Sequence, residues 1–194
     1  MIGEKDKMLA GELYNAADPQ LVAERSRCRW LLKQYNDSRD DEPELRWRLL
    51  HELLGAQGAD LYIEPPFYCD YGSNISAGQG VYFNFNCIVL DVAAVAIGDN
   101  VLFGPNVQIY TATHPVEWNE RASGLEFAKP ITIGSHVWVG GSAVICPGVR
   151  IGDRTVIGAG SVVTRDIPSD VFAAGNPCRV IRKLGSAGQD ELAQ

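Results

Sequence analysis

Ile97-Gly98-Asp99-Asn100-Val101-Leu102-Phe103-Gly104-Pro105-Asn106-Val107-Gln108-Ile109 decides the reading of this chain, because an apolar residue returns at every sixth position: Ile97, Phe103, Ile109. The spacing resumes at Ile133 and runs on through Val139, Ile145, Ile151, Ile157 and Val163. Ile109 and Ile133 lie 24 residues apart, a whole number of hexads, so the phase survives the interruption. Gly98, Gly104, Gly134, Gly140, Gly152 and Gly158 each follow an anchor, and Val101, Val107, Val137, Val149 and Val162 recur as small apolar residues within the hexads. A period of six matches neither helix nor simple strand alternation. It belongs to a solenoid of flat stacked coils, with three hexads to a triangular coil of about 18 residues. The anchors then point inward and stack from coil to coil, while Gly, Asn and Asp take the corners.

Outward from this run the pattern changes. Residues 1–60 read as a helical segment. Asp18-Pro19 is a cap with proline at the first helical position, and Leu21, Arg25, Cys28, Leu32 and Tyr35 follow along one side. A second helix is expected from Pro43 through Leu45, Leu49, Leu50, Leu53 and Leu54, stopping near Gly55. These helices are too few for a core of their own and are expected to cover one end of the solenoid, which spans residues 61–168. Its early part looks less regular: Ile75, Val81 and Cys87 keep the spacing in another phase, with an expanded corner near Asp91 to Ala94. Residues 110–130 leave the coil and return in phase, the mark of an extruded loop, where functional residues concentrate. Residues 169–185 close the fold with the cationic strand Cys178-Arg179-Val180-Ile181-Arg182-Lys183, and the small, polar tail 186–194 is expected to be mobile.

Composition sets outer limits. The 194 residues suit one domain with an appendage, 46% apolar yet without the long apolar run of a membrane span. The first residues lack a secretory pattern, and five cysteines without a CxxC pair point to a reduced cytoplasm. A net charge of −7 argues against nucleic acid as the main partner.

Several motifs together carry a family resemblance. Asn84-Phe85-Asn86, Gly104-Pro105-Asn106-Val107, Thr113-His114-Pro115, Pro130-Ile131-Thr132-Ile133-Gly134, Val137-Trp138-Val139-Gly140, Pro147-Gly148-Val149, Ile157-Gly158-Ala159-Gly160-Ser161 and Ala174-Gly175-Asn176-Pro177 are similar to hexapeptide-repeat sugar O-acetyltransferases. The likeness extends to Ala10-Gly11-Glu12-Leu13-Tyr14 and is nearest to the maltose, galactoside and nodulation acetyltransferases. It implies a mainly β fold, a left-handed parallel β-helix with an N-terminal α-helical segment. It further implies a homotrimer whose clefts between subunits bring acetyl-CoA and a small-molecule sugar acceptor together; that no nucleic acid, membrane or metal takes part is expected from the charge, the hydropathy and the scatter of the histidines.

Acetyl transfer to a hydroxyl needs a base, donors for the developing oxyanion, and two substrates held together. His114, at the mouth of the extruded loop, is the best base, since imidazole titrates near neutrality. Glu126, near the loop's end, either orients His114 or is simply solvated. No GxSxG and no partnered cysteine is present, so direct attack by the bound acceptor is more economical than an acyl-enzyme. By resemblance, the Gly141 amide faces the thioester oxygen, and Asp70, Asn84 and Asp91 match or adjoin acceptor-contacting positions. Asn and Asp at corners also satisfy their own backbone. Trp138 either walls the acceptor pocket or packs. Ala159, Thr164, Arg165, Arg179 and Arg182 correspond to coenzyme-binding positions, where amides meet pantetheine and guanidinium groups meet phosphates; exposed cations also serve solubility alone. Galactoside enzymes carry an Asp where this chain has Ala16, and Ser at Asp70, so the particular sugar stays open. The same scaffold also hosts xenobiotic and serine acetyltransferases, non-catalytic trimeric scaffolds, and enzymes binding metal through three histidines. Here the three are His51, His114 and His136, and the first lies outside the coils.

Overall fold

A computed structural model describes residues 2–185; the tail expected to be mobile, 186–194, lies outside them. Three parallel sheets form the walls of a solenoid. The first holds Ala56–Gln57, Ile75–Ala77, Val95–Ile97, Ile131–Ile133 and Arg150–Ile151. In the second, Tyr62–Ile63, Tyr82–Phe83, Leu102–Phe103, Trp138–Val139, Val156–Ile157 and Val171–Ala174 run parallel, and Arg179–Lys183 adds antiparallel at the edge. The third contains Phe67–Cys69, Cys87–Leu90, Gln108–Tyr110, Val144–Ile145 and Val162–Val163.

Every anchor from Ile97 to Val163 is buried, and equivalents stack in register: Ile97 on Ile133 and Ile151, Phe103 on Val139 and Ile157, Ile109 on Ile145 and Val163. The corners need a left-handed backbone, and residues that tolerate it are there: Asn86, Asn106 and Gly160 along one edge, Gly80 and Asn100 along another. At Gly104 the coils approach so closely that a Cβ would lie 2.5 Å from the Gly141 nitrogen, which accounts for the glycine directly after the anchor.

The apparent phase change in the early coils is corrected by the register. Ala77, Phe83 and Val89 pair with Ile97, Phe103 and Ile109. Ile75, Val81 and Cys87 are buried as well, two residues earlier, because each short strand turns alternate residues inward. What differs is coil length: paired anchors are 20 residues apart from Ala77 to Ile97, 18 from Ile133 to Ile151 and 16 from Ile157 to Ala173. The two extra residues of the early coils enlarge the corner between the third and first sheets. Val162 also departs from expectation. It is half-buried, and Ser161 takes the inward place.

Helix α1 spans Glu4–Ala10, α2 Pro19–Asn36 and α3 Pro43–Leu53. Asp18 caps α2, its carboxylate accepting the Gln20 N–H at 2.9 Å. Leu31, Leu32 and Tyr35 of α2 and Leu49, Leu50 and Leu53 of α3 join the solenoid core beside Ile63, Phe67 and Ile75, so the two helices cover its first coil. That coil starts at Ala56, ahead of the expected residue 61. A second, smaller core lies apart: Met8, Tyr14, Leu21, Tyr71, Val92, Ala93 and Ala128. It draws α1, α2, the enlarged corner and the extruded loop into one place. None of the helices among the described residues is long and apolar enough to cross a membrane.

Candidate active site

The smaller core supports a pocket of about 200 Å³ lined by Tyr14, Ala16, Arg25, Arg29, Asp70, Tyr71, Val92 and Glu126. Its base is Asp91, which has no exposed surface. The Asp91 carboxylate accepts the N–H groups of Asp70 and Tyr71, each at 2.9 Å, and of Asn74 at 3.3 Å, while the Asn74 amide donates to the Asp91 carbonyl at 2.7 Å. Burial pushes the Asp91 carboxyl up to about 7, and the three backbone donors oppose that rise. Asp91 therefore shapes the corner from beneath. It does not line the pocket.

Asp70 is presented by that corner. Burial raises its carboxyl above the ordinary range, Arg25 opposes the rise and the Glu126 charge adds to it. Arg25 spans the pocket from α2, donating to the Tyr71 hydroxyl at 2.7 Å and the Ala16 carbonyl at 2.6 Å. Its guanidinium carbon also stands 5.7 Å from the Tyr71 ring centroid. With Arg29 beside it, two cations balance the two carboxylates of Asp70 and Glu126. Such a wall of charged donors and acceptors suits a ligand rich in hydroxyls.

The extruded loop holds a short antiparallel pair, Ala112–Thr113 with Phe127–Ala128, and a one-turn helix, Trp118–Arg121. Ala112 faces Ala128 and Thr113 faces Phe127, so His114 and Glu126 adjoin this pair at the same end. On its other side Glu126 exchanges both backbone hydrogen bonds with Tyr14, at 3.0 and 3.1 Å, and its carboxylate accepts the Tyr14 hydroxyl at 3.0 Å. Burial, followed by the charge of Glu126, raises the Tyr14 phenol far above its usual value and keeps it a donor. Glu126 is thus held by Tyr14, a partner the sequence reading did not name. His114 is exposed at the end of its strand.

The remaining expected site residues are spread over the edges and faces of the solenoid. Asn84, Gly141 and Ala159 share the edge between the second and third sheets, Gly141 and Ala159 at adjoining levels and Asn84 one coil further away, beyond Gly104. Asn84 accepts the Phe85 N–H at 2.7 Å, an internal corner bond. Gly141 is half-exposed, and no acceptor among the described residues takes its N–H. Gly160, next to Ala159, has open space where a Cβ would stand, which leaves room for an extended chain. Trp138 is exposed on the second sheet between Leu102 and Val156. Thr164 and Arg165 are exposed on the His114 edge, and Arg179 and Arg182 on the closing strand, whose side chains fit the phosphates of a coenzyme. Within one chain these residues do not converge. Among the described residues no three His, Cys, Asp or Glu side chains are grouped to hold a metal. Tyr14, Arg25, Arg29 and Tyr71 are the pocket residues the sequence reading missed. For Arg25 a signal existed: a cation on the packed side of a helix.

Comparison with known proteins gives a consistent result. The maltose acetyltransferase hexapeptide capping motif matches residues 7–58, and the bacterial transferase hexapeptide, six repeats, matches residues 130–165. Nodulation protein L of Rhizobium leguminosarum bv. viciae is 57% identical over 178 residues, 91% of this chain and 93% of that protein. The crystal structure of a maltose O-acetyltransferase from Clostridium difficile superposes with a TM-score of 0.93 at 50% identity, covering 94% of this chain and 98% of its own. A galactoside acetyltransferase in complex with coenzyme A gives a TM-score of 0.91 at 42% identity, covering 95% and 92%.

Proposed function

The chain belongs to the hexapeptide-repeat acetyltransferases of the galactoside and maltose O-acetyltransferase type, with acetyl-CoA as donor, and from that premise we propose that it acetylates a sugar hydroxyl by direct transfer in a ternary complex with His114 as base. The observation that carries this reading is the polar pocket of Arg25, Arg29, Asp70 and Glu126 beside the strand that ends at His114. Paired carboxylates and guanidinium groups bond vicinal hydroxyls, and the pocket floor fixes their spacing.

In this mechanism the His114 imidazole takes the acceptor's hydroxyl proton as the oxygen attacks the thioester carbonyl. The C–O bond forms, and the carbonyl oxygen becomes an oxyanion that the Gly141 N–H stabilises. Collapse breaks the C–S bond, and the leaving thiolate receives the proton from His114. Glu126, clamped by Tyr14 at the same end of the loop's strand pair as His114, stabilises the imidazolium that forms between these steps. Asp70 and Asn84 contact the acceptor, and Asp91 positions Asp70 through its amide. Ala159, Thr164, Arg165, Arg179 and Arg182 hold the coenzyme.

The same placement supports a homotrimer. His114 and Gly141 flank the third sheet on opposite edges, and its strands of two to four residues span on the order of 10 Å at about 3.3 Å per residue. Reacting groups must come within about 3.5 Å, so the His114 edge of one subunit needs the Gly141 edge of another. An apolar ladder of Tyr62, Leu102 and Trp138, exposed on the second sheet, supplies a surface to bury. Sedimentation as a single 21.1 kDa chain at assay concentration removes this part of the reading.

The test of the activity is release of the coenzyme thiol from acetyl-CoA with glucose, maltose and a β-galactoside offered separately. Acceptor-dependent release with at least one is expected. Release that no sugar accelerates, while an aromatic or amino-acid hydroxyl does, places the chain with a different acceptor class.

A further inference from the structure

All five cysteines are free, and two of them meet. Cys28 on α2 and Cys69 at the end of strand Phe67–Cys69 have their sulfurs 3.6 Å apart, with the Cys28 thiol also 3.6 Å from the Cys69 carbonyl. The other three differ. Cys87 donates to the Gly104 carbonyl, Cys178 is hydrogen-bonded to the Ser161 side chain, and Cys146 is only half-buried. A buried cysteine is ordinarily a small apolar filler. Two sulfurs in contact between separate elements are a different arrangement, because a disulfide of about 2.05 Å needs an approach of only about 1.5 Å.

We propose that Cys28 and Cys69 are a site of reversible oxidation, closed to a disulfide by a hydroperoxide, and that this bond pins α2 against the corner carrying the acceptor pocket. Cys69 retains more exposed surface, 8% against 1% for Cys28, so it meets the oxidant first. Its thiolate displaces hydroxide from the peroxide and becomes a sulfenic acid, and the Cys28 sulfur then attacks that sulfur and expels water. In sum, two thiols and one hydrogen peroxide give one disulfide and two waters. The contact with Cys28 and burial both hold Cys69 in its thiol form, so the reaction is slow at neutral pH and quickens as pH rises. Arg25 lies one helical turn before Cys28, and Asp70 directly follows Cys69, so the bond acts on two walls of the pocket at once. That consequence rests on the reading of this pocket as the acceptor site.

The full chain would be treated with hydrogen peroxide at pH 7 and 8.5, then denatured, alkylated and mapped by mass spectrometry. The expected result is a peptide pair joining Cys28 to Cys69, with two of the five thiols lost, regained on reduction, and formed faster at the higher pH. Cys28→Ser and Cys69→Ser should each abolish the linked pair. Five intact thiols, or Cys69 carried on to sulfinic acid without a linked pair, overturns the site; the unmodified sequence decides this even where a variant folds poorly. In the cross-linked enzyme, KM for the sugar should change on the order of tenfold while KM for acetyl-CoA holds, since small misplacements of binding groups have large effects. A linked pair with an unchanged sugar KM overturns the coupling to the pocket. Reduced enzyme that acetylates no sugar sinks the acceptor reading instead, and the peptide map still decides the bond.

Discussion

His114→Ala should lower kcat by roughly 10²- to 10⁴-fold, the usual contribution of a positioned general base, while KM for acetyl-CoA changes little. The direction follows from geometry. The imidazole is exposed at the end of a strand, and no hydrogen bond to it forms within the chain among the described residues, so its removal leaves no buried group unpaired. Thermal unfolding should therefore be unchanged, which separates lost chemistry from lost structure. No hydrogen bond joins His114 to the residues proposed to hold the coenzyme, so donor binding should survive. Glu126→Gln should have a smaller effect than His114→Ala, because the carboxamide still accepts the Tyr14 hydroxyl and only the carboxylate charge is lost. Turnover by His114→Ala within a factor of two of the parent would end the general-base assignment and favour a scaffold that merely holds the two substrates near each other.

What was readable in the sequence divides along the range of the interactions involved. The coils from Ile97 onward were legible because their stacking is written as a local period, and only residues that fill a triangular interior recur at six. The same rule hid the earlier coils, where two residues per turn enlarge a corner and Ala77, Phe83 and Val89 fall outside a strict count. His114 and Glu126 could be singled out as polar residues in a segment that leaves and rejoins the frame. Their neighbours could not. Tyr14 reaches Glu126 across 112 positions of sequence, and Arg25 reaches Tyr71 across 46, contacts set by how the helices fold back and by no repeat. Asp91 shows a third case: a carboxylate at a corner, read as a candidate sugar ligand, is consumed by three backbone amides that the enlarged turn leaves without strand partners. Its chemistry was visible in the residue type, and its burial was not.

Phe83→Ala should destabilise the fold by about 3–5 kcal/mol and lower Tm by about 10 °C, since a chain of this length loses roughly 2–4 °C per kcal/mol. Phe83 is buried at the second coil, with its ring centroid 4.2 Å from Phe103 in a stacked arrangement and 5.6 Å from Phe67 edge-on. Its truncation opens a hole in the column and removes both ring contacts, each worth about 0.5–1.5 kcal/mol beyond area burial. In a solenoid a repeat touches only its neighbours, so the loss should be felt at the coils of Phe67 and Phe103 and fade beyond them. The coil of Phe67 is the one that α2 and α3 cover, through Leu31, Leu50 and Leu53. The pocket belongs to the separate cluster of Met8, Tyr14, Tyr71 and Ala128, so transfer activity at low temperature should persist while thermal tolerance falls. Thr132→Ala, on the exposed face of the first sheet, should shift stability by less than about 0.5 kcal/mol and serves as the control. A Phe83→Ala protein whose Tm falls by less than 2 °C would mean that the aromatic column is filler, and that the helical cap and the later aliphatic coils hold the first turns in place without it.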